Sequence, residues 1–571
     1  MKKFLPLPVG VDDFKRLRQE YYFVDKTKFI QNLMDSHSTA TLITRPRRFG
    51  KTLALSMVYY FFTLKDAEKN RKLFDGCAIS RAGEKYMAEQ GKRPVIFLSL
   101  KDIKEDCFDL MLEHLAALMQ SVYSSFRYLL EGDLLYPEEK EIFRSILSRK
   151  ASRIDLQLSL KNLTLYLTRC HHRPTVLLID EYDAPIQYAW DYGYYDKAIP
   201  FFRNYLSSVL KSNQDLDFAI LTGVLRISKE SIFSSLNNLK VSSVATDSFV
   251  DAMGFSGKEV SQMATDFGQP EKAAELKHWY DGYNFSGQEI YNPWSVINYF
   301  DHNAKPGLYW VNTSGNMILA ELLKQATSSQ ERDLNLLMQG GTIPALLDEG
   351  VIYSEIHKNS DALYSMLLTT GYLTLAEPPN PYNGSMRCTL RIPNQEIQFL
   401  YRREIVGHME SIGVQPQLLQ EMMSHLLSGK GKAFEECLSS YLESVTSYYD
   451  TTNKESFYHG LMLGLLAILI PRYRVVSNRE SGYGRFDLAV FPLHEQFVGV
   501  LMEFKVADSE EDLAAKAKDA LAQIEQMDYL AEFRTLGVST VWKYGIAFWG
   551  KTTCIVAGTS DEVIAFPSTD Q

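Results

Sequence analysis

The sequence predicts a multidomain α/β protein with a parallel sheet near its start, a helical middle and a second α/β domain at its end. Three observations lead to this prediction. Apolar strand-like runs alternate with helix-like runs over the first 255 residues, which is the pattern of a parallel sheet with helices on its faces. Two further strand-like runs lie close together near residue 500. The length of 571 residues is too great for one core and indicates about three or four domains.

The predicted first domain covers residues 1–255. Its strand-like runs are residues 40–43, 94–100, 176–180 and 218–223, and its helix-like runs are residues 28–34, 53–61, 107–130 and 156–168. The carboxyl ends of parallel strands meet at one edge of the sheet, where such folds bind ligands. Lys51, Asp180 and Thr222 all fall at such ends, so we expect them to lie close together.

A phosphate-binding loop is predicted over residues 44–52, between the first strand and the helix that follows. A strand, a tight turn, Gly-Lys-Thr and a helix form a layout in which free N–H groups and the positive end of the helix dipole bind phosphate. Lys51 would reach the β- and γ-phosphates of ATP, and the Thr52 hydroxyl would hold Mg²⁺. The predicted nucleotide contacts in this loop are Arg48, Phe49, Gly50, Lys51 and Thr52.

The loop departs from the usual pattern at Arg45, where glycine is expected, and a Gly-Lys-Thr triplet also occurs at ordinary helix starts. A second stretch favours the nucleotide hypothesis, because residues 176–181 form a buried-strand run that ends in two acids. In P-loop enzymes the first acid, here Asp180, holds Mg²⁺ through water. The second, here Glu181, can polarise the attacking water. The alternative is a parallel strand that merely happens to end in Asp-Glu.

Two more residues are candidates for contact with the nucleotide. Thr222 ends the fourth strand-like run and is well placed to detect a γ-phosphate. Arg226 follows shortly after and is either a phosphate-sensing arginine or part of a surface salt bridge.

The predicted middle region covers residues 256–405, with a helical linker over residues 406–450. Residues 279–295 are rich in aromatic and turn-forming types, and we expect them to form part of a lid over the nucleotide. Strands are predicted at residues 371–375 and 387–392, and a turn segment joins them. Helices followed by such a hairpin suggest a winged helix, which either binds DNA or serves as a spacer. Without a basic recognition helix the spacer is favoured.

A second chemical site is predicted in the last domain, residues 451–571. Pairing of residues 491 and 497 across a short loop would place Asp487 one diagonal step from Glu503, and Lys505 would share their face of the sheet. Charges at the ends of apolar strands are costly unless they bind something. Two carboxylates suit Mg²⁺ or Mn²⁺, and Lys505 could activate a water or steady a scissile phosphate. The alternative is a solvated edge hairpin with ordinary surface charges.

Other residues could join this second site. Glu455 and His459 lie four apart on a predicted helix, so Glu455 is a possible metal ligand and His459 a possible phosphate contact. A capping or core role is open for both. A helix predicted to begin at Ala520 carries Gln523, which could face the site, and Tyr529 follows.

Composition limits the classes of function. A net charge of −10 and a pI of about 5.7 argue against a broadly basic nucleic-acid coat but allow a local basic groove. Six scattered cysteines without a Cys-x-x-Cys pair indicate free thiols in a reducing cytoplasm. The start lacks the long apolar region of a signal peptide. The most apolar run, residues 461–470, is too short to cross a bilayer.

Several motifs together resemble the bacterial AAA-ATPase-like family, and the resemblance covers nearly the whole chain. They are residues 45–52 (RPRRFGKT), 178–183 (LIDEYD), 232–238 (IFSSLNN), 279–285 (WYDGYNF) and 291–295 (YNPWS). In that family the ATPase domain is commonly fused to a domain of the PD-(D/E)XK nuclease superfamily. Gly484 to Asp487 and Glu503 to Lys505 are similar to that part. The Gln-x-x-x-Tyr pattern of RecB-like nucleases is not matched, because Gln523 is six residues from Tyr529 and Gln526 only three.

The resemblance implies an ASCE-type P-loop fold like that of STAND and archaeal ATPases, followed by a restriction-endonuclease-like α/β domain. It also implies that Arg45 is the family's own variant of the loop. The sequence therefore predicts an ATP-binding or ATP-hydrolysing protein coupled to a metal-dependent nuclease, with DNA as the expected substrate. A regulatory NTPase whose last domain only binds nucleic acid or protein is the alternative. A homo-oligomer is plausible, because ASCE enzymes often complete their site with a neighbour's arginine.

Overall fold

The fold is that of a computed structural model. It describes residues 5–227, 239–310, 319, 327–338, 340–348, 350, 359–382, 385–411, 416–445, 458, 462, 465–466, 469, 472–481, 484–493, 497–526 and 530–559. The chain divides into two compact units. Unit 1 comprises Met1–Ser314 and Pro344–Ile397, and unit 2 comprises Gly315–Ile343 and Gln398–Gln571.

Unit 1 contains a five-stranded, all-parallel sheet in the order β2-β3-β4-β1-β5. Its strands are β1 (Ala40–Thr44), β2 (Val95–Ser99), β3 (Thr175–Asp180), β4 (Leu216–Gly223) and β5 (Leu239–Ser242). Runs buried on both faces explain β1 and β3, since helices cover both sides of a parallel sheet. The sequence-based prediction of a parallel α/β sheet is thus confirmed. Strand β4 lies between β1 and β3, and Ile43 pairs with Thr222.

Helices surround this sheet. They are α1 (Phe14–Glu20), α2 (Lys28–Asp35), α3 (Lys51–Phe62), α4 (Ala67–Arg71), α5 (Ala78–Arg81), α6 (Glu84–Met87), α7 (Phe108–Ser124), α8 (Pro137–Leu147), α9 (Arg153–His171), α10 (Ala184–Asp191) and α11 (Tyr195–Leu210), with 3-10 helices at Lys72–Phe74 and Arg127–Leu130. The helix predicted over residues 107–130 therefore ends at Ser124, and a separate 3-10 turn follows it. Helix α9 starts at a capping box in which the Ser152 hydroxyl accepts the Asp155 N–H.

Two smaller sheets complete unit 1. One has the order β6-β8-β7, with β6 (Phe255–Ser256), β7 (Tyr283–Phe285) and β8 (Gln288–Tyr291). The other joins β9 (Ile343–Leu347), β10 (Thr374–Leu375), β11 (Asn380–Tyr382) and β12 (Ser385–Arg391). The predicted hairpin is confirmed, because Thr374 pairs with Arg391 in an antiparallel ladder. The segment between its strands, predicted as a turn, contains β11.

The remaining helices before the last domain continue in chain order. They are α12 (Gly257–Asp266), α13 (Ala273–Tyr280), α14 (Pro293–Asp301), α15 (Ser328–Met338), α16 (Ser360–Thr370), α17 (Gln395–Ser411), α18 (Pro416–Leu427) and α19 (Gly431–Val445), with 3-10 helices at Val250–Ala252 and Pro270–Lys272. Asn292 caps α14, since its side-chain oxygen accepts the N–H groups of Trp294 and Ser295.

Unit 2 is built on a five-stranded mixed sheet in the order β13-β14-β15-β16-β17. The strands are β13 (Tyr473–Ser481), β14 (Gly484–Pro492), β15 (Gly499–Val506), β16 (Val541–Trp549) and β17 (Thr552–Thr559), and the helices between them are α20 (Leu513–Gln526) and α21 (Ala531–Thr535). Residues of α18 and α19 pack on one face of the sheet, and Ile524 and Phe533 pack on the other. The prediction of a second α/β domain at the end of the chain is thus confirmed.

No helix among the described segments combines the length and the apolar character needed to span a lipid bilayer.

Candidate functional sites

The loop after β1 contains two residues in the left-handed region of the backbone. Gly50 has φ of 87° and immediately precedes α3, and Arg48 has φ of 67°. A left-handed conformation is readily available to glycine and is costly for arginine, so the loop is held in this shape by its surroundings. Helix α3 starts at Lys51, two residues earlier than the sequence-based estimate, so its first N–H groups belong to the Gly-Lys-Thr triplet.

The Lys51 side chain lies folded along the inside of the loop. Its Nζ donates hydrogen bonds to the carbonyl oxygens of Arg45 and Pro46, both at 3.0 Å. Burial lowers the pKa of Lys51, while the nearby carboxylates of Glu181 and Asp180 oppose this shift. The positive charge of Lys51 therefore lies inside the loop that directly precedes the N-terminus of α3. This arrangement is favourable for an anionic ligand.

Asp180 is the centre of a small hydrogen-bonded cluster at the carboxyl edge of the parallel sheet. Its Oδ2 accepts the Thr52 hydroxyl and its Oδ1 accepts the Thr222 hydroxyl, each at 2.6 Å. The Asp180 side chain is fully buried. Strand β4 lies between β1 and β3, so Thr222 near its end lies beside Asp180 at the end of β3. The structure thus brings Asp180 and Thr222 together, as we expected from their positions at strand ends, and adds Thr52, the residue after Lys51, to the same cluster.

Glu181 and Arg226 flank this cluster. Glu181 has φ of 49°, a strained conformation for a residue other than glycine, and its carboxylate opposes the lowering of the Lys51 pKa by burial. Glu181 is partly exposed. Arg226 lies four residues after Thr222 and is also partly exposed.

Arg45, in place of the usual glycine, is the largest fully buried cation of unit 1 among the residues that the structure describes. Its guanidinium donates to the carbonyl oxygens of Thr44 (2.8 Å), Ser242 (3.0 Å) and Phe249 (3.2 Å), and to the Ser242 hydroxyl (3.1 Å). Burial lowers its pKa to about 10, so the group is still charged at neutral pH. Arg45 therefore ties the start of the loop to the end of β5.

Replacing Arg45 with the usual glycine is expected to destabilise unit 1 rather than to restore a better loop. The change would leave several buried carbonyl oxygens without a donor, which costs about 3–5 kcal/mol. The first thermal transition of the protein should fall by roughly 10 °C. Circular dichroism during heating measures this, and Arg173→Gly, at an exposed arginine of the same unit, serves as the control. An Arg45→Gly protein that unfolds at the parent temperature would contradict this role.

Aromatic residues of the middle region pack against the loop. The Phe49 ring is fully buried and lies 5.1 Å from the Tyr283 ring and 5.4 Å from the Phe285 ring. Its side chain is therefore part of the core, and only its main chain is available to a nucleotide. The Arg48 guanidinium lies 4.2 Å above Trp294. The aromatic segment predicted as a lid thus holds the loop from one side.

A buried carboxylate supports the same region. Glu396 accepts the Ser295 hydroxyl and the Trp310 main-chain N–H, both at 2.6 Å. The Trp310 indole in turn donates to the Arg47 carbonyl oxygen at 3.0 Å. Burial raises the pKa of Glu396 from its ordinary value of 4.5 to about 7, against the opposing effect of these hydrogen bonds. This residue gave no signal in the sequence.

We expect the stability of unit 1 to fall with rising pH because of Glu396. An acid whose pKa is raised in the folded state contributes stability fully below its unfolded pKa, here about 4.5, and loses it as the pH rises through about 7. The span between the two values corresponds to about 3 kcal/mol. Thermal unfolding of the parent and of Glu396→Gln between pH 5 and pH 8 should show a smaller fall for the variant. Equal slopes would contradict the assignment.

The second site lies where β14 and β15 run side by side. The pairing of residues 491 and 497 predicted from the sequence is wrong by two residues, because Val490 pairs with Val500 and Leu488 with Met502. Continuing this register places Asp487 directly opposite Glu503. An even shift keeps each side chain on its original face of the sheet. Asp487 and Glu503 are therefore on the same face, as expected, and they lie directly opposite each other instead of one diagonal step apart.

Hydrogen bonds fix both carboxylates. Asp487 Oδ2 accepts the Phe504 main-chain N–H at 2.7 Å. Glu503 has only 4% of its side chain exposed, and its Oε1 accepts a hydrogen bond from the Gln523 amide and lies 3.8 Å from Lys505 Nζ. The Lys505 side chain is 32% exposed. Gln523, whose role the sequence left open, is thus in contact with the site.

Gly545 allows α20 to approach the sheet closely enough for this contact. It pairs with Glu503, and a Cβ atom on it would lie 2.1 Å from the Ala517 carbonyl oxygen and 2.4 Å from the Leu521 N. Only glycine is compatible with that distance. Helix α20 begins at Leu513, seven residues before the predicted start, so both of these contacts lie within it.

Oxygen ligands at both sites fit Mg²⁺ or a similar cation. Thr52 and Asp180 supply two oxygen-bearing side chains at the carboxyl edge of the parallel sheet, and Asp487 and Glu503 supply two more on the neighbouring strands β14 and β15. Among the described residues, no group of three or more His, Cys, Asp or Glu side chains could hold a metal without other ligands. Mg²⁺ commonly takes one or two protein carboxylates and completes its shell with phosphate and water. Glu455, His459 and Tyr529 lie outside the described residues.

Comparisons with known proteins match the two domains that contain these sites. Residues 8–233 match the AAA-ATPase-like family, described as "Predicted AAA-ATPase", and residues 453–558 match the PD-(D/E)XK nuclease superfamily. A protein of Azotobacter chroococcum mcd 1, described as "Uncharacterized protein in vnfD 5'region", is 25% identical over 545 residues. The aligned part covers 93% of this chain and 94% of that relative. The similarity therefore extends over both domains and the region between them.

Proposed function

We propose that this chain, which joins an AAA-ATPase-like domain to a PD-(D/E)XK nuclease superfamily domain, couples ATP binding and hydrolysis to metal-dependent cleavage of nucleic-acid phosphodiester bonds. DNA is the favoured substrate. The observation that carries the proposal is the convergence of Asp487, Glu503 and Lys505 on the neighbouring strands β14 and β15, in the same chain as the Thr52–Asp180–Thr222 cluster.

In the first domain the phosphates of ATP would lie in the loop of residues 45–50, at the N-terminus of α3. Lys51 would exchange its two carbonyl contacts for the β- and γ-phosphates. Thr52 and Asp180 would hold Mg²⁺, which neutralises charge on the transferred phosphoryl group. Glu181 would orient and polarise the attacking water, for which its partial exposure leaves room.

In the last domain Asp487 and Glu503 would hold Mg²⁺ or Mn²⁺, and such an ion lowers the pKa of a bound water and polarises a phosphoryl oxygen. The Gln523 amide keeps the Glu503 carboxylate in one orientation, because it donates to Oε1. Lys505 would contact the scissile phosphate and stabilise the negative charge that builds up during attack. Glu503 and Lys505 are two residues apart in β15, so they act on the same face of the sheet.

The test uses the purified full-length protein with supercoiled DNA, linear DNA and single-stranded RNA. Each substrate is incubated with Mg²⁺, Mn²⁺ or EDTA, with and without ATP, and phosphate release is measured in parallel. We expect cleavage of DNA that EDTA abolishes, together with ATP turnover. ATP turnover without cleavage of any substrate in either metal would overturn the nuclease part. It would favour a regulatory NTPase whose last domain only binds nucleic acid or protein.

A further inference from the structure

Two residues directly after the acidic pair hold the chain that leaves β4. Asp183 is 6% exposed, and its Oδ2 accepts the main-chain N–H groups of Val224 and Leu225, both at 2.8 Å. A carboxylate that accepts two main-chain N–H groups binds them more strongly than a neutral acceptor would. Asp183 thus fixes the first turn after β4 to the end of β3.

Tyr182 makes a second pair of hydrogen bonds to the same segment. Its hydroxyl donates to the Leu225 carbonyl oxygen at 2.7 Å and accepts the Ile227 N–H at 3.1 Å. The side chain is fully buried. Arg226 lies between the two residues that Tyr182 holds, so its main chain is fixed on both sides.

The packing between β3 and β4 is close at this point. A Cβ atom on Gly223 would lie 2.5 Å from Asp183 Oδ1 and 2.8 Å from the Tyr182 ring. The residue before this glycine is Thr222, which donates to Asp180. Residues 180–183, at the end of β3 and just after it, therefore have two roles. They include the acids Asp180 and Glu181, and through Tyr182 and Asp183 they bind the segment that contains Thr222 and Arg226.

We propose that Tyr182 and Asp183 are positioning residues that hold residues 223–227 so that Thr222 and Arg226 can detect the γ-phosphate of ATP. This inference rests on the proposed binding of ATP. Neither Tyr182 nor Asp183 would touch the nucleotide, because both side chains are buried and are hydrogen-bonded to the main chain of residues 224–227. They connect residues 223–227 to Asp180 and Glu181, so that the positions of Thr222 and Arg226 relative to the two acids are fixed.

The test compares Tyr182→Phe with the parent and with Tyr123→Phe. Tyr123 is an equally buried tyrosine of unit 1 whose hydroxyl donates to a main-chain carbonyl, that of Ser159, at 2.7 Å. The measurements are the dissociation constants of ADP and of a non-hydrolysable ATP analogue, the rate of ATP hydrolysis and the unfolding temperature. For Tyr182→Phe we expect ADP affinity within about threefold of the parent and a preference for the ATP analogue over ADP reduced roughly tenfold. Hydrolysis should slow by roughly ten- to a hundredfold. Tyr123→Phe should keep the parent's preference and rate.

Asp183→Asn provides a second variant of nearly unchanged shape, and its ATP-over-ADP preference should fall in the same direction. A merely structural role predicts a lower unfolding temperature in both variants with an unchanged preference, and that result would overturn the inference. A parent protein that binds no nucleotide would overturn the proposed ATP function and this inference with it. If the parent hydrolyses ATP, and both Tyr182→Phe and Asp183→Asn equal it in ATP-over-ADP preference and in hydrolysis rate, only this inference is overturned.

Discussion

Replacing Glu503 with glutamine is expected to lower the rate of phosphodiester cleavage roughly 10²- to 10³-fold, the usual effect of removing one preorganised charged group from an active site. The substitution removes a negative charge and a metal ligand without changing the size of the side chain. Glutamine can still accept the hydrogen bond from Gln523 that Glu503 accepts through Oε1, so the position should remain folded. The measurement is the initial rate of DNA cleavage in Mg²⁺ at fixed protein concentration.

Glu510→Gln is the matched control, because Glu510 is an exposed glutamate shortly after the end of β15. The control should cleave at the parent rate. ATP hydrolysis should be retained in both variants, since Glu503 belongs to the last domain. If Glu503→Gln cleaves DNA as fast as the parent, the assignment of this carboxylate to catalysis is wrong.

Replacing Lys51 with alanine is expected to weaken ATP binding roughly 100-fold or more, which corresponds to about 2.7 kcal/mol. Lys51 is a buried ammonium group of the loop, and alanine offers no donor to the β- and γ-phosphates. ATP hydrolysis should fall at least as far. Calorimetric titration with ATP and a phosphate-release assay measure the two effects.

Lys65→Ala is the control for this experiment, since Lys65 is an exposed lysine shortly after the end of α3. Its affinity for ATP should equal that of the parent. Unfolding curves show whether the loss of the Lys51 contacts to Arg45 and Pro46 has disrupted the loop itself. Parent-like ATP affinity in a folded Lys51→Ala protein would exclude this loop as the nucleotide site.

The parallel sheet and its ligand edge could be predicted from the sequence because the signals there are local. Fully apolar runs mark β1 and β3, and polar residues follow at once. Parallel pairing then brings Thr52, Asp180 and Thr222 to one edge, whatever the details of the helices. The start of α9 was placed three residues too late, although the capping box at Ser152 is a local signal for it.

The hairpin of the last domain was predicted only in part. Its strands and the shared face of Asp487 and Glu503 follow from alternation along each strand, but loop length alone did not give the register. The start of α20 was placed too late, although its first turns are rich in alanine and lysine, which favour helices. The contact of Gln523 with Glu503 depends on how closely α20 packs at Gly545, which is a property of the folded sheet.

Long-range contacts explain what the sequence did not reveal. The guanidinium of Arg45 is held by carbonyl groups about 200 residues away in sequence, and a departure from a motif does not indicate such partners. Glu396 meets Ser295 and Trp310 across about 100 and 86 residues, with no local pattern. Tyr182 and Asp183 were noted only as part of a family motif, although their hydrogen bonds hold the end of β4.

The most direct test of the account measures the rate of DNA cleavage by the parent and by Lys51→Ala without nucleotide, with ATP and with ADP, in the same Mg²⁺ buffer. We predict that ATP changes the parent rate, that ADP does not reproduce the change, and that the Lys51→Ala rate is the same in all three conditions. This result would show that the nucleotide site controls the nuclease site. A parent rate that is identical with and without ATP, in a protein that hydrolyses ATP, would contradict the coupling of the two sites.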